Sequence, residues 1–404
     1  MDKRAELKPV TPTPPELKPT RPPGAQAWAA FCRKLEHAGD LLFSTDYIED
    51  PVMEAETLRY LVREVRGHLD AQVNHGDPDF PRFFRWDEPG SGPTAPNLDN
   101  WYLMARIRGG VAYRVTIEPG QVFDFLIGVL DAQTRNLGDH TREAFEPEPD
   151  GRIEITFSAE RQGRNWIPLP DDAIMMLLRV YYHDWPRERP PAVRIERIGS
   201  AGEAPPPPTL ERLSGQLDAV IGALTRQPYG YAFYQLRAMD EAPANSFPPP
   251  LDMPGGGGPI IYGFGRYRLT PEEALIIEFQ PPTARYWGLH TYTLPWFSNV
   301  DPANRISSLN DLQAHVDTDG RVRVVVAHGD PGVQNWLDAG GFPTGSMAYR
   351  WIWSESPPPP VTTRLVPLAE VRASLPAETP AFTREDRVRQ IQERREHLAR
   401  RFRF

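Results

Sequence analysis

The sequence contains a single cysteine and no long apolar run. Cys32 alone cannot form an internal disulfide or a thiolate metal cluster, and a chain so poor in cysteine is compatible with a reducing compartment. The apolar stretch 173–182 is shorter than the roughly 18 residues that cross a membrane, and Arg179 interrupts it. We therefore expect a cytoplasmic protein with no membrane-spanning segment.

The sequence also lacks an excess of positive charge and the motifs of common cofactors. Its 45 basic and 54 acidic residues give a net charge of −9, which argues against nucleic-acid binding through bulk charge. The glycine run 255–258 has no Lys-Ser/Thr of a phosphate-binding loop, no GxGxxG opens a helix after a strand, and no GxSxG occurs. Histidine and aspartate spacings do not suit a metal site. These absences predict no cofactor, no metal and no nucleic-acid partner.

Proline is abundant, with 46 residues, and the apolar periodicity changes along the chain. Residues 1–24 hold charges and prolines without the apolar centre of a signal peptide, which predicts a disordered tail. Apolar residues at three- and four-residue spacing then predict a helical pair, and Asp50-Pro51 is a start signal for its second helix. The stretch 383–404 is also predicted to be helical. Its eight arginines and four acids could clamp an acidic face of this fold or of a partner.

Between these helical parts, apolar and polar residues alternate as in half-buried strands, and the pattern occurs twice. Five features recur in the same order about 150 to 170 residues later, which indicates an internal repeat. One is a proline-rich break, at 186–191 and again at 357–360, and the other four are residue motifs. The matched pairs are Tyr113-Arg114-Val115 with Tyr267-Arg268-Leu269, Asp150-Gly151-Arg152 with Asp319-Gly320-Arg321, Asn165-Trp166 with Asn335-Trp336, and Arg179 with Arg350.

Many short strands with Asp-Gly turns predict a mainly β fold with helical additions (α+β). We expect two tandem antiparallel jelly-roll-like β-sandwiches related by the repeat, an N-terminal helical pair, a bridging helix and a basic C-terminal helix. The predicted segments are a tail at 1–24, a helical region and connector at 25–95, a first β-sandwich at 96–200, a bridging helical segment at 205–242, a second β-sandwich at 243–370 and an Arg-rich helical tail at 371–404.

Several motifs resemble those of a known protein family. They are PNLDNWY at 96–102, Asn165-Trp166, RVYYHDW at 179–185 and 195–197 in the first copy, and YWGLHTY at 286–292, Asn299, Asn304-Arg305, Asp319-Gly320 and Asn335-Trp336 in the second. On these motifs, about the last three quarters of the chain resembles the domain of unknown function (DUF) 1214 family. The resemblance implies paired sandwiches similar to those of the peptide:N-glycanase F class, and with them a hint of carbohydrate handling, but no particular reaction. His290 and 338–340 depart from the commoner family pattern.

Two repeated motifs have both a functional and a structural interpretation. Asn165-Trp166 and Asn335-Trp336 could bind a sugar by stacking and amide hydrogen bonds. Their presence in both copies favours the structural alternative, an Asn in a left-handed turn and a Trp in the core. Arg179 and Arg350 could bind a carboxylate, sulfate or phosphate, or form structural ion pairs.

His183-Asp184-Trp185 is the strongest chemical candidate of the first copy. A histidine titrates near neutral pH, an adjacent carboxylate can orient it, and a tryptophan can shield the site. The second copy has 354–356 (SES) there, so the fold repeat does not require the histidine. The alternative is an ordinary surface histidine at a strand end.

A second candidate is an aromatic and polar stretch in the second copy, which suits either a ligand pocket or strand packing before a turn at 301–302. Its residues are His290, Tyr292, Trp296, Asn299, Asn304 and Arg305.

These residues predict a cofactor-independent acid–base enzyme, a lyase, isomerase or hydrolase, acting on a polar, sugar-like or hydroxylated small molecule near the seam of the two sandwiches. His183 or His290 would be the acid or base, with Asp184 or Glu196 as the partner carboxylate. The predicted substrate-binding residues are Arg305, Tyr292, Trp296, Asn304, Arg179 and Trp287. The alternative is a non-catalytic small-molecule or carbohydrate-binding or assembly module, possible as a homo-oligomer.

Overall fold

The structure is a computed structural model that describes residues 20–85, 95–118, 120–251, 260–355 and 359–402. Most of the predicted disordered tail, residues 1–19, lies outside the described residues, as does the glycine run 255–258. The helices are α1 (Pro23–Phe43), α2 (Pro51–Leu69), α3 (Leu210–Leu224), α4 (Gln227–Met239), α5 (Val371–Ser374) and α6 (Arg384–Phe402). Helix α1 therefore begins inside the predicted tail.

The strands follow in two groups along the chain. The first group is β1 (Phe84–Arg85), β2 (Asn100–Arg106), β3 (Tyr113–Glu118), β4 (Asp124–Leu130), β5 (Asn136–Thr141), β6 (Ile153–Ser158), β7 (Trp166–Pro168), β8 (Met175–Tyr181) and β9 (Ala192–Arg197). The second group is β10 (Ile260–Arg268), β11 (Glu273–Phe279), β12 (Ala284–Thr293), β13 (Ser308–Asn310), β14 (Val322–Ala327), β15 (Trp336–Asp338), β16 (Thr344–Ser354) and β17 (Thr362–Pro367).

These strands form four sheets, two in each lobe of the molecule. The first lobe contains β1-β2-β8-β4-β5 and β7-β6-β3-β9, and the second contains β10-β16-β12-β13 and β15-β14-β11-β17. Each lobe buries one large apolar core between its sheets. The pairing is antiparallel except for β6 with β7 and β14 with β15, which are parallel. The prediction of a mainly β chain with two tandem sandwiches and added helices is confirmed.

The internal repeat is visible in the strand order, because β2, β8, β4 and β5 correspond to β10, β16, β12 and β13, and β7, β6, β3 and β9 to β15, β14, β11 and β17. The Asp-Gly turns before β6 and β14 are equivalent, and Gly151 (φ 84°) and Gly320 (φ 77°) have backbone angles that favour glycine. One predicted match is wrong: Tyr113 lies on β3, whose counterpart is β11, whereas Tyr267 lies on β10. Alternating Tyr-Arg-apolar triplets are common in strands, so that match was accidental.

The Asn-Trp motifs have the same structural role in both lobes. Asn165 donates through Nδ2 to the carbonyls of Glu146 (2.8 Å) and Glu154 (3.1 Å) and accepts from the amide of Glu146 (2.9 Å). Asn335 makes the equivalent bonds with His315 and with the carbonyl of Arg323. These bonds join a loop to the neighbouring strand. Neither asparagine is among the described residues with positive φ, so the left-handed turn predicted for them is not formed.

The helices start largely where their sequence signals predict. The carboxylate of Asp50 caps α2 by accepting from the amides of Val52 and Met53, both at 2.8 Å. Helices α1, α2 and α4 cover one face of the second lobe through a cluster that includes Leu42 and Trp296. Within the described ranges, no helix has the length and apolar content needed to cross a bilayer.

The lobes contact each other along the outer faces of the sheets β1-β2-β8-β4-β5 and β10-β16-β12-β13. We call this contact the inter-lobe seam. Leu126 and Tyr181 of the first lobe pack there against Tyr286 and Ile352 of the second. Equivalent faces of the two repeat copies therefore meet, and side chains that point away from either core come together between the lobes.

Candidate active site

A groove of about 550 Å³ opens where the two lobes and α6 come together. The first lobe contributes the segment after β8, the second lobe contributes the segment after β13, and α6 forms the third wall. The residues that line it are His183, Asp184, Trp185, Pro186, Arg187, Leu312, Gln313, Gln334, Phe382, Asp386, Arg389, Gln390, Glu393 and Arg394. A concave site with two aromatic rings and several polar groups has the composition of a small-molecule pocket.

His183 and Asp311 form a hydrogen-bonded pair across the lobes. His183 lies two positions after the end of β8, and Asp311 lies one position after the end of β13. The imidazole Nε2 of His183 is 2.9 Å from the Oδ2 of Asp311. Asp311 Oδ1 accepts from the amide of Trp287 at 3.2 Å, which fixes the carboxylate. Asn310 Nδ2 donates to the His183 carbonyl at 3.1 Å, so the backbone on both sides is tied as well.

Burial and the Asp311 carboxylate act on the His183 imidazole in opposite directions. Burial by itself lowers the pKa of His183, but the hydrogen bond and charge of Asp311 outweigh it and raise this pKa above the usual value. The side chains of His183 and Asp311 remain 17% and 26% exposed, so the pair is accessible. No described residue bonds to the Nδ1 of His183. A histidine with one nitrogen oriented by a carboxylate and the other open is the arrangement that general acid–base catalysis requires.

Glu188 lies directly behind His183. Its Oε2 accepts from the His183 amide at 2.6 Å, and burial raises the pKa of the Glu188 carboxyl to about 7. The folded protein therefore keeps a proton on Glu188 up to about pH 7. In the unfolded chain a glutamate has an ordinary pKa of about 4.3, so this proton is released at lower pH. Two titratable groups with raised pKa values thus lie side by side, and one of them, His183, lines the groove. Such pairs are enriched in functional sites.

This proton uptake makes stability depend on pH. Between about pH 4.5 and 7 the native state binds more protons at Glu188 than the unfolded state, so the free energy of unfolding falls as pH rises through this window. We expect Glu188→Gln to reduce the fall by about 1 to 2 kcal/mol, after allowance for solvent screening. Urea unfolding at several pH values measures it, with exposed Glu160→Gln as the control. An unchanged slope in Glu188→Gln would contradict the raised pKa.

Asp99 connects the two lobes beneath the groove. Its side chain is fully buried, and it accepts from Trp185 Nε1 (2.6 Å) and Asn310 Nδ2 (3.1 Å) through Oδ1 and from the Tyr286 hydroxyl (2.5 Å) through Oδ2. Burial raises the pKa of Asp99, although these hydrogen bonds and Arg401 oppose the shift. Asn310 therefore contacts both Asp99 and the backbone of His183, which links the buried network to the groove.

Helix α6 covers this network with arginines. Arg394 donates to the carbonyls of Pro302 (3.2 Å) and Ser308 (3.2 Å), and Arg401 donates to the carbonyl of Leu98 (2.7 Å). Arg394 also lies 4.7 Å from the ring centre of Trp185. The predicted basic clamp thus acts on its own fold, but its buried arginines bind mainly carbonyls and aromatic faces. The acidic face predicted for it is represented by Asp330, which pairs with Arg387 at 3.0 Å.

Only part of the predicted catalytic set is brought together. His183 and Asp184 both line the groove, but the Asp184 carboxylate pairs with Arg187 at 3.2 Å, and Asp311 takes the place of the predicted partner. Glu196 lies on β9 of an outer sheet and pairs with Arg114 at 3.1 Å, away from either histidine. Both corrections have the same cause: the fold, and not closeness in sequence, determines which carboxylate lies beside a histidine.

The other predicted histidine, His290, is fully buried on β12. The amide of Leu98 points at its Nε2 (3.2 Å) and Nη1 of Arg350 at its Nδ1 (3.3 Å). Because a neutral imidazole has one nitrogen lone pair, only one of these contacts is a hydrogen bond at a time. Burial and Arg350 lower the pKa of His290 well below its usual value. His290 is therefore a neutral residue of the seam without access to the groove. Its predicted neighbour Tyr292 donates to the carbonyl of Pro96 at 3.0 Å.

The remaining predicted substrate-binding residues are dispersed. Trp287 and Trp296 are core residues, since Trp287 packs in the second-lobe core and Trp296 stacks on Tyr60 at 5.2 Å. Apolar burial, not ligand binding, explains both. The other three have partners within their own lobe. Arg305 and Arg179 form ion pairs with Asp338 (2.8 Å) and Asp139 (3.5 Å), and Asn304 donates a hydrogen bond to Asp301 (3.0 Å).

Three residues of the site were missed from the sequence: Asp311, Glu188 and Asp99. Asp311 is 128 positions from His183, so no local spacing reveals the pair. Asp99 lies in the PNLDNWY motif, which was noted only for its resemblance. The one usable signal for Glu188 is its position in the short turn that follows His183.

Comparison with known proteins identifies the family. The sequence matches the family described as "Protein of unknown function (DUF1214)" over residues 126–184 and 263–353. An uncharacterized protein from Burkholderia cenocepacia is similar in structure, with 30% identity, a TM-score of 0.80, and coverage of 86% of this chain and 98% of that one. The VPA0106 protein from Vibrio parahaemolyticus aligns with 76% of this chain over 97% of its own length, at 12% identity and a TM-score of 0.45. No curated protein matches. The matched segments and the Burkholderia relative show that this chain belongs to the DUF1214 family.

Proposed function

We propose that the protein is an acid–base enzyme that acts in the groove between its lobes. The observation that carries the proposal is the 2.9 Å pair of His183 and Asp311 at the wall of a groove of about 550 Å³. The single cysteine favours a reducing compartment such as the cytoplasm as the place of action.

In this proposal His183 moves the proton. Asp311 holds Nε2–H, so that the neutral imidazole presents the lone pair of Nδ1 to a substrate C–H or O–H. When Nδ1 takes the proton, the Asp311 carboxylate stabilises the imidazolium, and the same proton returns to the product in the next step. Since the pKa of His183 is raised, turnover that starts from the neutral imidazole increases with pH through that pKa.

The groove chemistry favours a polar, hydroxylated substrate. Trp185 and Phe382 offer aromatic surfaces, on which apolar ring faces can stack. Three glutamines of the groove each have one side-chain amide atom without a described partner. Gln334 donates through Nε2 to the carbonyl of Gln313 (2.9 Å), so its Oε1 has none. Gln313 and Gln390 each accept a hydrogen bond through Oε1, so their Nε2 atoms have none. Hydroxyl groups, which both donate and accept, match this mixture.

The test is turnover of an unknown substrate from a mixture of polar metabolites, followed by time-resolved mass spectrometry with substrate in excess over protein. We expect one compound to be depleted beyond the amount of protein, with a matching product. His183→Gln should lower the rate about a hundredfold or more without loss of folded structure. Asp311→Asn should also lower it, because the imidazole loses its orientation.

Exposed His37→Gln is the matched control, and its rate should equal that of the wild type. If no compound turns over, the enzyme proposal fails. A compound bound at a fixed ratio to protein would then favour the binding module. Turnover that persists in His183→Gln would show an enzyme with different catalytic residues and would overturn the assignment made here.

A further inference from the structure

Arg350 is a buried cation without a carboxylate partner among the described residues. It lies on β16 with 4% of its surface exposed and points into the inter-lobe seam. Its Nη1 donates to the Tyr292 hydroxyl (2.8 Å) and faces His290, and its Nη2 donates to the carbonyl of Ala95 (2.5 Å). All of these partners are neutral. An ion taken out of water without a counter-charge loses several kcal/mol of solvation free energy.

The surrounding tyrosines do not supply the missing negative charge. Tyr262 and Tyr292 lie beside the guanidinium, each with its ring centre 5.7 Å from the Arg350 Cζ. Burial raises the pKa of both hydroxyls above the usual value, even though Arg350 acts to lower it. Both tyrosines therefore remain neutral. Asp99 is a buried acid of the same network, but its oxygens are bonded to Trp185, Asn310 and Tyr286.

The equivalent arginine of the first lobe makes the contrast clear. Arg179 faces Tyr102 across the β2 and β8 pair as Arg350 faces Tyr262 across β10 and β16. Arg179 has a buried acid, Asp139, at 3.5 Å. Arg179 thus has a carboxylate partner, whereas no described carboxylate forms an ion pair with Arg350 at the equivalent position.

Further buried polar atoms lie in the same part of the seam. Among the described residues, Asn97 Nδ2 has no hydrogen-bond partner, and Asn100 Oδ1 and the Tyr181 hydroxyl have none but each other. Asn97 is two positions from Ala95, which binds Arg350, and Asn100 pairs with Tyr181 across the strands. Tyr102 and Tyr262 are the half-buried cross-strand neighbours of Arg179 and Arg350.

Of the five N–H groups of Arg350, the contacts above occupy three, and Nε–H and one Nη2–H have no described acceptor. These two neighbouring donors form the fork that binds a carboxylate or phosphate oxygen pair. We propose that the inter-lobe seam is a binding site for a small oxyanion, a carboxylate or phosphate group, whose charge is neutralised by Arg350. This site is separate from the His183 groove.

The experiment measures the melting temperature of the full chain with rising acetate, oxalate or inorganic phosphate at constant ionic strength, with chloride as the reference. We expect at least one of the three to raise the melting temperature of the wild type in a saturable way, because a ligand that binds only the folded state stabilises it. The series also separates the two chemistries: a rise with acetate or oxalate indicates a carboxylate site, and a rise with phosphate alone indicates a phosphate site.

Arg350→Met should abolish this effect, and Arg350→Lys, which keeps the charge but loses the fork, should bind at least tenfold more weakly. The control is Arg114→Met, which removes an exposed charge from an outer sheet and should respond as the wild type does. If Arg350→Met does not fold, direct titration calorimetry of the wild type and Arg350→Lys decides. No anion-specific effect in the wild type, or an equal effect without Arg350, overturns the proposal.

Discussion

Replacement of Asp99 by alanine should lower the free energy of unfolding by about 3 to 5 kcal/mol. The carboxylate is fully buried and accepts three side-chain hydrogen bonds, from Trp185, Asn310 and Tyr286. Alanine leaves all three donors buried without an acceptor and removes the negative charge that faces Arg401. Because these donors come from both lobes, the loss should also loosen the contact between them. Urea unfolding at neutral pH measures the change.

Asp99→Asn separates the charge from the hydrogen bonds. Asparagine keeps one oxygen acceptor for Trp185, and the Tyr286 hydroxyl can rotate to accept from the new amide, so we expect a smaller loss of about 1 to 2 kcal/mol. Exposed Asp172→Ala should stay within about 0.5 kcal/mol of the wild type. A loss below about 1 kcal/mol for Asp99→Ala would show that water replaces the carboxylate and that the network does not hold the lobes together.

The fold was predictable because its signals are local and occur twice. An Asp-Gly turn, an Asn-Trp pair and an arginine in an apolar strand each describe a short segment, and their common order in both halves revealed the repeat. The Tyr113 match failed for the same reason: alternation identifies a strand but not which strand it is. Residue type thus predicted where the strands lie. Only the strand pairing of the structure shows that the counterpart of β3 is β11 and not β10.

The candidate site was less predictable because its chemistry is made by contacts between lobes. His183 was identified from a motif of three neighbours, but Asp311 lies in the other lobe. Burial was also hidden: His290 and Trp296 are polar or amphipathic residues of a kind found in pockets, yet both are fully buried. Sequence spacing does not show which face of a strand the second lobe covers, so it could not separate the seam from the groove.

The basic C-terminal stretch shows how composition can mislead about partners. Eight arginines in a short segment suggest an exposed, solvated surface for another molecule. In the structure Arg387, Arg394 and Arg401 are instead buried. Carbonyl oxygens and aromatic rings bind guanidinium groups well, and neither is visible as an acidic sequence pattern.

Removal of α6, by ending the chain at Thr383, should abolish cooperative folding. Leu398 and Phe402 belong to the core of the first lobe, while Arg394 binds carbonyls of the second. Loss of two core side chains alone removes about 4 to 10 kcal/mol at 2 to 5 kcal/mol each, which is comparable with the whole stability of many proteins. We expect weak near-ultraviolet circular dichroism and a broad, non-cooperative urea transition, with the third wall of the groove also lost.

Point variants within α6 show whether the loss of cooperative folding comes from lost packing or only from the shorter chain. Leu398→Ala should lower the free energy of unfolding by about 2 to 5 kcal/mol, because it opens a cavity in the first-lobe core. Val388→Ala, on the same helix but with its side chain 59% exposed, should change it by less than about 0.5 kcal/mol. If the shortened chain instead unfolds as cooperatively as the full one, the packing of α6 is not needed for folding, and this prediction is wrong.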